Sequence, residues 1–227
     1  MSRDADVQKV APELASFAAY LREIISARRA APGDDLLSEL IRQEEAGDAL
    51  SEEELCSMVV LLLVAGHETT VHLIGNSMLT LWQHPQELAR LQKDPALIDT
   101  ALEELLRYES PVETANRRWA REAIELHGQT IARGDLVILV LTSANRDEAR
   151  FPAADNLELD RTPNEHLAFG LGIHHCLGAP LARLEGRIAL RALLRRFPEL
   201  QPVSAPAELK WVRSYFLRGV TSLPVRF

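Results

Sequence analysis

The chain has 227 residues, 47% of them hydrophobic and 26% charged, which is enough apolar material to bury a core and too much for a disordered chain. A formal net charge of −8 sets up a field that repels nucleic acid and anionic lipid, so neither is expected as a partner. The two cysteines, Cys56 and Cys176, lie far apart in unlike contexts and are expected to be reduced.

The opening MSRDADVQKV has no apolar core of the kind a secretion signal needs, which points to the cytoplasm. Over 12–30, Leu14, Phe17, Leu21, Ile24 and Ile25 recur at helical spacing until APGDD breaks the pattern. A shorter helix reads through LLSELIRQEE, and Ser51 with Glu54 forms a capping box. The long helix that follows, about 54–82, contains the apolar run MVVLLLVAG at 58–66. That run is too short to span a bilayer and is expected to be a buried helix, not an anchor.

Pro85 suits the first turn of a helix over 85–93, and DPALIDTALEELLRYES gives another that ends before Pro111. From 112 the pattern becomes short strands punctuated by Gly128 and Gly134, as in a meander, with LVILVL as its last strand. A loop covers 145–165, a helix is expected from about 177 to 197, and WVRSYFLRGVTSLPVRF reads as a hairpin. The fold class expected is mainly α with small β-sheets.

Three stretches carry chemistry. In HLAFGLGIHHCLGAPLARLE, 166–185, glycines at 170 and 172 permit a tight backbone before Cys176, which is expected at the amino end of a helix. That position favours a thiolate, the form that binds metal, while the plain alternative is a small buried cysteine in a turn. Adjacent His174, His175 and Cys176 do not suit zinc, and the last glycine of a dinucleotide loop would fall on His175.

In AGHETT, 65–70, Gly66 costs a helix about 1 kcal/mol relative to alanine, and Glu68, Thr69 and Thr70 are polar in an apolar setting. The Thr69 hydroxyl can reach the Ala65 carbonyl and open the helix locally; the alternative is a polar patch facing solvent. Glu104 and Arg107 are spaced for a same-face ion pair, which by itself is an ordinary surface feature.

AGHETT, then EELLRY, then Phe169, Gly172, Cys176 and Gly178 in the pattern F-x-x-G-x-x-x-C-x-G together resemble the cytochrome P-450 family of soluble bacterial type. NRDEARFPAADNLELDR and SYFLRG are also similar. The resemblance covers nearly the whole chain but only about the carboxy-terminal half of the family's fold. It implies a single partial domain over 1–227: helical 1–110, meander and loop 111–165, haem-ligand loop and helix 166–197, and hairpin 198–227.

The resemblance makes Cys176 the thiolate ligand of iron in haem b (iron protoporphyrin IX), whose electron donation favours O–O cleavage. Glu68 and Thr69 match the acid and alcohol that deliver protons during oxygen activation. Glu104, Arg107 and Arg161 match a structural salt-bridge triad. His174 and Arg118 match partners of the haem propionates, with Arg117 a near neighbour of Arg118 left open. Phe169 matches the ring packed near the sulfur, with Gly170, Ala65 and Gly66 also beside the haem. Val112, Thr114, Ala115, Phe216 and Leu217 fall where members line the substrate pocket.

The activity implied is insertion of one oxygen atom from O2 into a hydrophobic small organic substrate. Electrons from NAD(P)H would arrive through a ferredoxin or flavodoxin and its reductase, with no nucleic acid or membrane involved. The other expectation is a truncated, non-catalytic haem-binding or interaction remnant, because the amino-terminal helices and sheet of the family have no counterpart here.

Overall fold

The computed structural model describes residues 3–45 and 50–227, which form two compact units, 1–65 and 66–227. In the first, α1 (Arg3–Ala30) is longer than its apolar spacing indicates and runs through Pro12. Helix α2 (Leu36–Glu45) follows, its start held by the Asp35 carboxylate, which accepts the Ser38 N–H at 2.8 Å. Leu21, Ile25, Ile41, Leu55 and Cys56 make this unit's core. Leu14 and Phe17, which share the apolar spacing, are exposed.

Helix α3 (Glu52–Gln83) starts in the first unit and ends in the second. The capping box forms as its spacing predicts: Ser51 N–H donates to Glu54 at 2.8 Å, and Glu54 N–H donates to the Ser51 hydroxyl at 3.3 Å. The expectation of a buried apolar run is corrected, because Leu61, Leu63 and Val64 are all exposed. By length and composition alone α3 could cross a membrane, and only 11% of its most apolar window is buried. The core helix of a soluble protein passes the same test of length and hydropathy.

In the second unit α4 (Pro85–Lys93), a short 3-10 turn (Pro95–Leu97) and α5 (Ile98–Tyr108) follow. Leu73, Met78, Leu81, Leu91, Leu102, Leu105, Leu106 and Leu190 belong to one buried cluster. Helix α7 (Ala179–Arg196) reaches that cluster at Gly186. A Cβ there would lie 3.0 Å from a Leu102 methyl and 3.2 Å from a Leu73 methyl, so the glycine allows α7 to approach α3 and α5 closely.

The sheets are small and two-stranded. β1 (Arg118–Trp119) pairs antiparallel with β4 (Leu136–Val137), and β2 (Ile124–Leu126) with β3 (Gln129–Ile131). The expected strand LVILVL is shorter than its apolar run, since Leu141 already begins a one-turn helix, α6 (Leu141–Ala144). Two residues, Gly134 and Asp135, feed β4 from a turn, and the remaining apolar residues hydrogen-bond to the 113–115 segment instead.

The closing segment is also less regular than a hairpin. Trp211 and Val220 share a single bridge, while β5 (Gln201–Pro202) pairs with β6 (Val225–Arg226). The fold is thus mainly α with small β-sheets, as the composition of its elements predicts.

Candidate active site

The loop before α7 is held by its own backbone. Gly170 N–H donates to Leu167 O at 2.9 Å, Cys176 N–H to Phe169 O at 2.9 Å, and His175 N–H to Gly172 O at 3.0 Å. Gly170 and Gly172 adopt φ of 70° and 76°, a left-handed backbone that side chains rarely tolerate. The Asn145 side chain anchors the entrance, accepting Leu167 N–H at 2.7 Å. On this frame Cys176 is a free, exposed thiol.

Two sequence expectations about Cys176 are corrected. The helix begins at Ala179 with Gly178 as its cap, so Cys176 lies two residues ahead of the cap, not in the first turn. The alternative of a buried turn cysteine also fails, because the thiol faces out.

Apolar side chains surround it without cover: Leu171 is 81%, Ile173 99% and Leu177 88% exposed. The loop thus presents a soft donor on an apolar rim. Among the described residues no group of three His, Cys, Asp or Glu could hold a bare metal ion. A lone thiolate suits a metal that brings most of its ligands with it.

The Glu104, Arg107 and Arg161 side chains come together as a buried cluster. Arg107 donates Nε and Nη2 to the two Glu104 oxygens, both at 2.8 Å, and neither side chain is exposed. Arg161 Nε donates to the same carboxylate at 3.1 Å. The remaining Arg107 protons go to the Asn145, Ala154 and Asn156 carbonyls. The ordinary reading of E-x-x-R as a surface pair is thereby replaced by a fully buried tie between α5 and the 145–161 loop.

Next to it, Glu103 accepts Arg183 Nε and Nη2, both at 2.8 Å, and lies 3.1 Å from His166 Nε2. Burial pushes the Glu103 carboxyl up, but hydrogen bonds from His166 and Arg183 and the Arg183 charge outweigh it and hold it at about 2. The hydrogen bonds to Glu103 raise the Arg183 guanidinium, against burial, and the Cys176 sulfur adds attraction. Sequence reasoning missed Glu103, His166 and Arg183; the doubled glutamate of EELLR was the available signal.

On α3, Glu68 is exposed and Thr69 half-buried, and Ala65 and Gly66 are exposed. A Cβ at Gly66 would meet nothing within 4 Å, so this face opens onto free space. Helix α3 is continuous through 65–70. Thr70 donates its hydroxyl to Glu185 on α7 at 3.1 Å.

The segment 112–115 lies along the closing segment. Val112 bridges Leu217, Glu113 N–H donates to Phe216 O at 2.9 Å, Thr114 donates its hydroxyl to Tyr215 O at 3.1 Å, and Ala115 N–H donates to Leu139 O at 2.9 Å. Val112, Thr114, Ala115, Phe216 and Leu217 are therefore gathered into one region. The Arg117 guanidinium is engaged by Tyr215, whereas Arg118, on β1, donates to the Asn116 and Arg117 carbonyls. His174 ends a short 3-10 turn and is exposed.

These features fit a flat apolar group with a metal at its centre and acidic substituents at its edge. Were such a group bound, the exposed Cys176 thiol would hold its metal, the exposed Leu171, Ile173 and Leu177 side chains would offer apolar contact, and Arg118 and His174 would be donors for its carboxylates.

The family model described as Cytochrome P450 matches residues 7–210, and the chain belongs to that family. It is 50% identical over 212 residues to the polyketide biosynthesis cytochrome P450 PksS of Bacillus subtilis, covering 93% of this chain and 52% of that protein. It is 49% identical over 215 residues to the cytochrome P450 monooxygenase PikC of Streptomyces venezuelae, covering 94% of this chain and 52% of that protein.

Among solved structures, the myxobacterial cytochrome P450 CYP267B1 in complex with myristic acid superposes with a TM-score of 0.93 at 47% identity, over 99% of this chain and 55% of that one. The chain therefore spans about half the length of the curated relatives it matches.

Proposed function

We propose that this chain carries the haem-binding half of a haem-thiolate monooxygenase. The observation that carries the proposal is the exposed Cys176 thiol on a glycine-shaped loop in a chain of the cytochrome P450 family. The fold reads as one partial domain over 1–227. Cys176 is the metal ligand, with Phe169 and Gly170 shaping the loop under it, Ala65 and Gly66 bordering the open side, and His174 and Arg118 meeting the propionates of haem b. The commitment of Arg117 to Tyr215 supports Arg118 in that role.

Bound at Cys176, haem supplies the electron transfer and oxygen activation that no side chain can provide. The protein's own residues do the rest. Glu68, exposed to solvent, and the half-buried Thr69 hydroxyl would hold and pass a proton along this face of α3. Glu104, Arg107 and Arg161 hold α5 against the loop segment, a structural role. Val112, Thr114, Ala115, Phe216 and Leu217 contribute an apolar wall that excludes water and orients substrate.

The substrate proposed is a hydrophobic small organic molecule; the myristic acid bound by one similar structure supports that class. O2 is the second substrate, and a ferredoxin or flavodoxin with its NAD(P)H-dependent reductase is the proposed electron source. The proposed compartment is the cytoplasm, without nucleic-acid or membrane partners.

The exposed apolar side chains of α3 and of the cysteine loop favour a second reading, a non-catalytic haem-binding or interaction remnant. Turnover with NAD(P)H, a ferredoxin, its reductase and a panel of apolar substrates separates the two. The monooxygenase reading predicts product, and predicts that Thr69→Ala keeps haem while oxygen consumption loses its coupling to product. Unchanged coupling in Thr69→Ala would refute the proton-delivery role, and haem binding without any turnover would favour the remnant.

A further inference from the structure

Glu103 and Glu104 are consecutive on α5, so their side chains leave the helix about 100° apart. Glu104 enters the buried arginine cluster. Glu103 turns instead to α7 and to the chain entering the cysteine loop, where it takes both prongs of the Arg183 fork and His166.

The two cationic or donor side chains meet again on Phe169. The Arg183 guanidinium carbon lies 4.5 Å from the centroid of the Phe169 ring, and the His166 ring centroid is 6.2 Å from it. His166 also settles its own tautomer. Its Nδ1 accepts the Ala168 N–H at 3.2 Å, which leaves Nε2 to carry the proton donated to Glu103. Phe169 in turn offers its carbonyl to the Cys176 N–H.

We propose that Glu103, Arg183 and His166 are positioning residues for the cysteine loop, clamping Phe169 from two sides so that its carbonyl fixes Cys176. Within the loop itself, the restraint comes from a few backbone hydrogen bonds alone, since the large side chains Leu171, Ile173 and Leu177 stand in solvent. An external clamp on Phe169 supplies the restraint that loop packing does not. The bidentate geometry requires arginine, because a lysine ammonium cannot fill both carboxylate positions at once. The proposal rests on the haem-thiolate reading for its second readout only.

The first readout is amide hydrogen exchange on the 227-residue chain without added haem. Glu103→Gln and Arg183→Gln should raise exchange at the Gly170 and Cys176 amides about tenfold, equivalent to about 1.4 kcal/mol of local opening, with α5 and α7 amides unchanged. Arg183→Lys should leave exchange raised, and Arg187→Gln, an exposed α7 variant outside the clamp, should change nothing. Loop exchange within twofold of the unaltered chain would overturn the proposal, as would loosening spread evenly over α5 and α7.

The second readout is the spectrum of the haem-loaded, reduced, carbon monoxide-bound chain. Arg183→Gln should lower the share of the strongly red-shifted Soret band although Cys176 is intact; an unchanged share would contradict the clamp. If the unaltered chain shows no such band, the haem-thiolate reading fails by itself, and the exchange result still decides the positioning role.

Discussion

Arg107 sits with its whole side chain out of solvent and its guanidinium paired edge-on to the Glu104 carboxylate through two bonds of 2.8 Å. Buried charge of this kind is stable only while every partner is present. The Glu104 carboxylate also serves Arg161 and accepts the Glu158 N–H at 3.0 Å. Glu104→Gln removes the charge that balances two buried guanidinium groups and should cost about 3–5 kcal/mol. Against a typical total of about 5–15 kcal/mol, that is enough to broaden or abolish the urea unfolding transition of this chain. Removing the exposed Arg187 pair with Asp99 should cost less than about 1 kcal/mol in the same assay.

Gly219 and His72 are the tightest side-chain approach near the closing segment. A Cβ on Gly219 would fall 2.0 Å from His72 Nδ1, and His72 is buried. Gly219→Ala should therefore destabilise the chain by about 1–3 kcal/mol through forced displacement of the ring. In a His72→Ala background that penalty should shrink by more than half, measured as the coupling in a double-mutant cycle of urea midpoints. Full additivity would show that the glycine is required for another reason.

The depressed Glu103 carboxyl makes a pH prediction with a definite sign. Its folded value, about 2, lies below the ordinary 4.5, so it contributes stability that is full above about 4.5 and is lost as pH falls toward about 2. Between those limits the unaltered chain should lose stability faster than Glu103→Gln, and the two curves should run parallel above pH 5. The check is the difference between their unfolding midpoints across an acid series.

Leu177, Leu181, Leu184 and Ile188 recur at spacings of four and three and are all exposed, as are Leu61, Val64 and Val71 on α3. Each of these apolar stripes should bind a hydrophobic dye and favour concentration-dependent association of the isolated chain. Leu181→Glu with Ile188→Lys should reduce both, measured by dye fluorescence and sedimentation, with helix content unchanged.

Helix existence was legible from apolar spacing and caps. The Ser51–Glu54 box, Pro85 at a first turn and the LLSELIRQEE helix all appear where their local chemistry places them. What failed were inferences that needed a partner surface. MVVLLLVAG looked buried because its composition matches a core helix, yet burial depends on what packs against it, and Leu61, Leu63 and Val64 are exposed. LVILVL read as one strand because β-branched and leucine-rich runs favour extension, but the ladder with β1 stops at Val137, Val140 bridges Thr114 instead, and the chain turns helical at Leu141.

In the site, Cys176, Glu104 and Arg107 stood out through motif spacing, and the structure gives the last two a common buried contact. Glu103, His166 and Arg183 did not stand out. Their meeting depends on α5, α7 and the loop entrance converging across sequence separations of 63 and 80 residues, which no local pattern records.

The central claim is that Cys176 offers a thiolate to haem iron. The direct measurement is the absorption spectrum of the purified chain supplied with haem, reduced and exposed to carbon monoxide, beside Cys176→Ala. The account predicts a strongly red-shifted Soret band in the unaltered chain that vanishes in the variant. The same band in both proteins, or its absence from soluble, folded, haem-loaded unaltered chain, would contradict it.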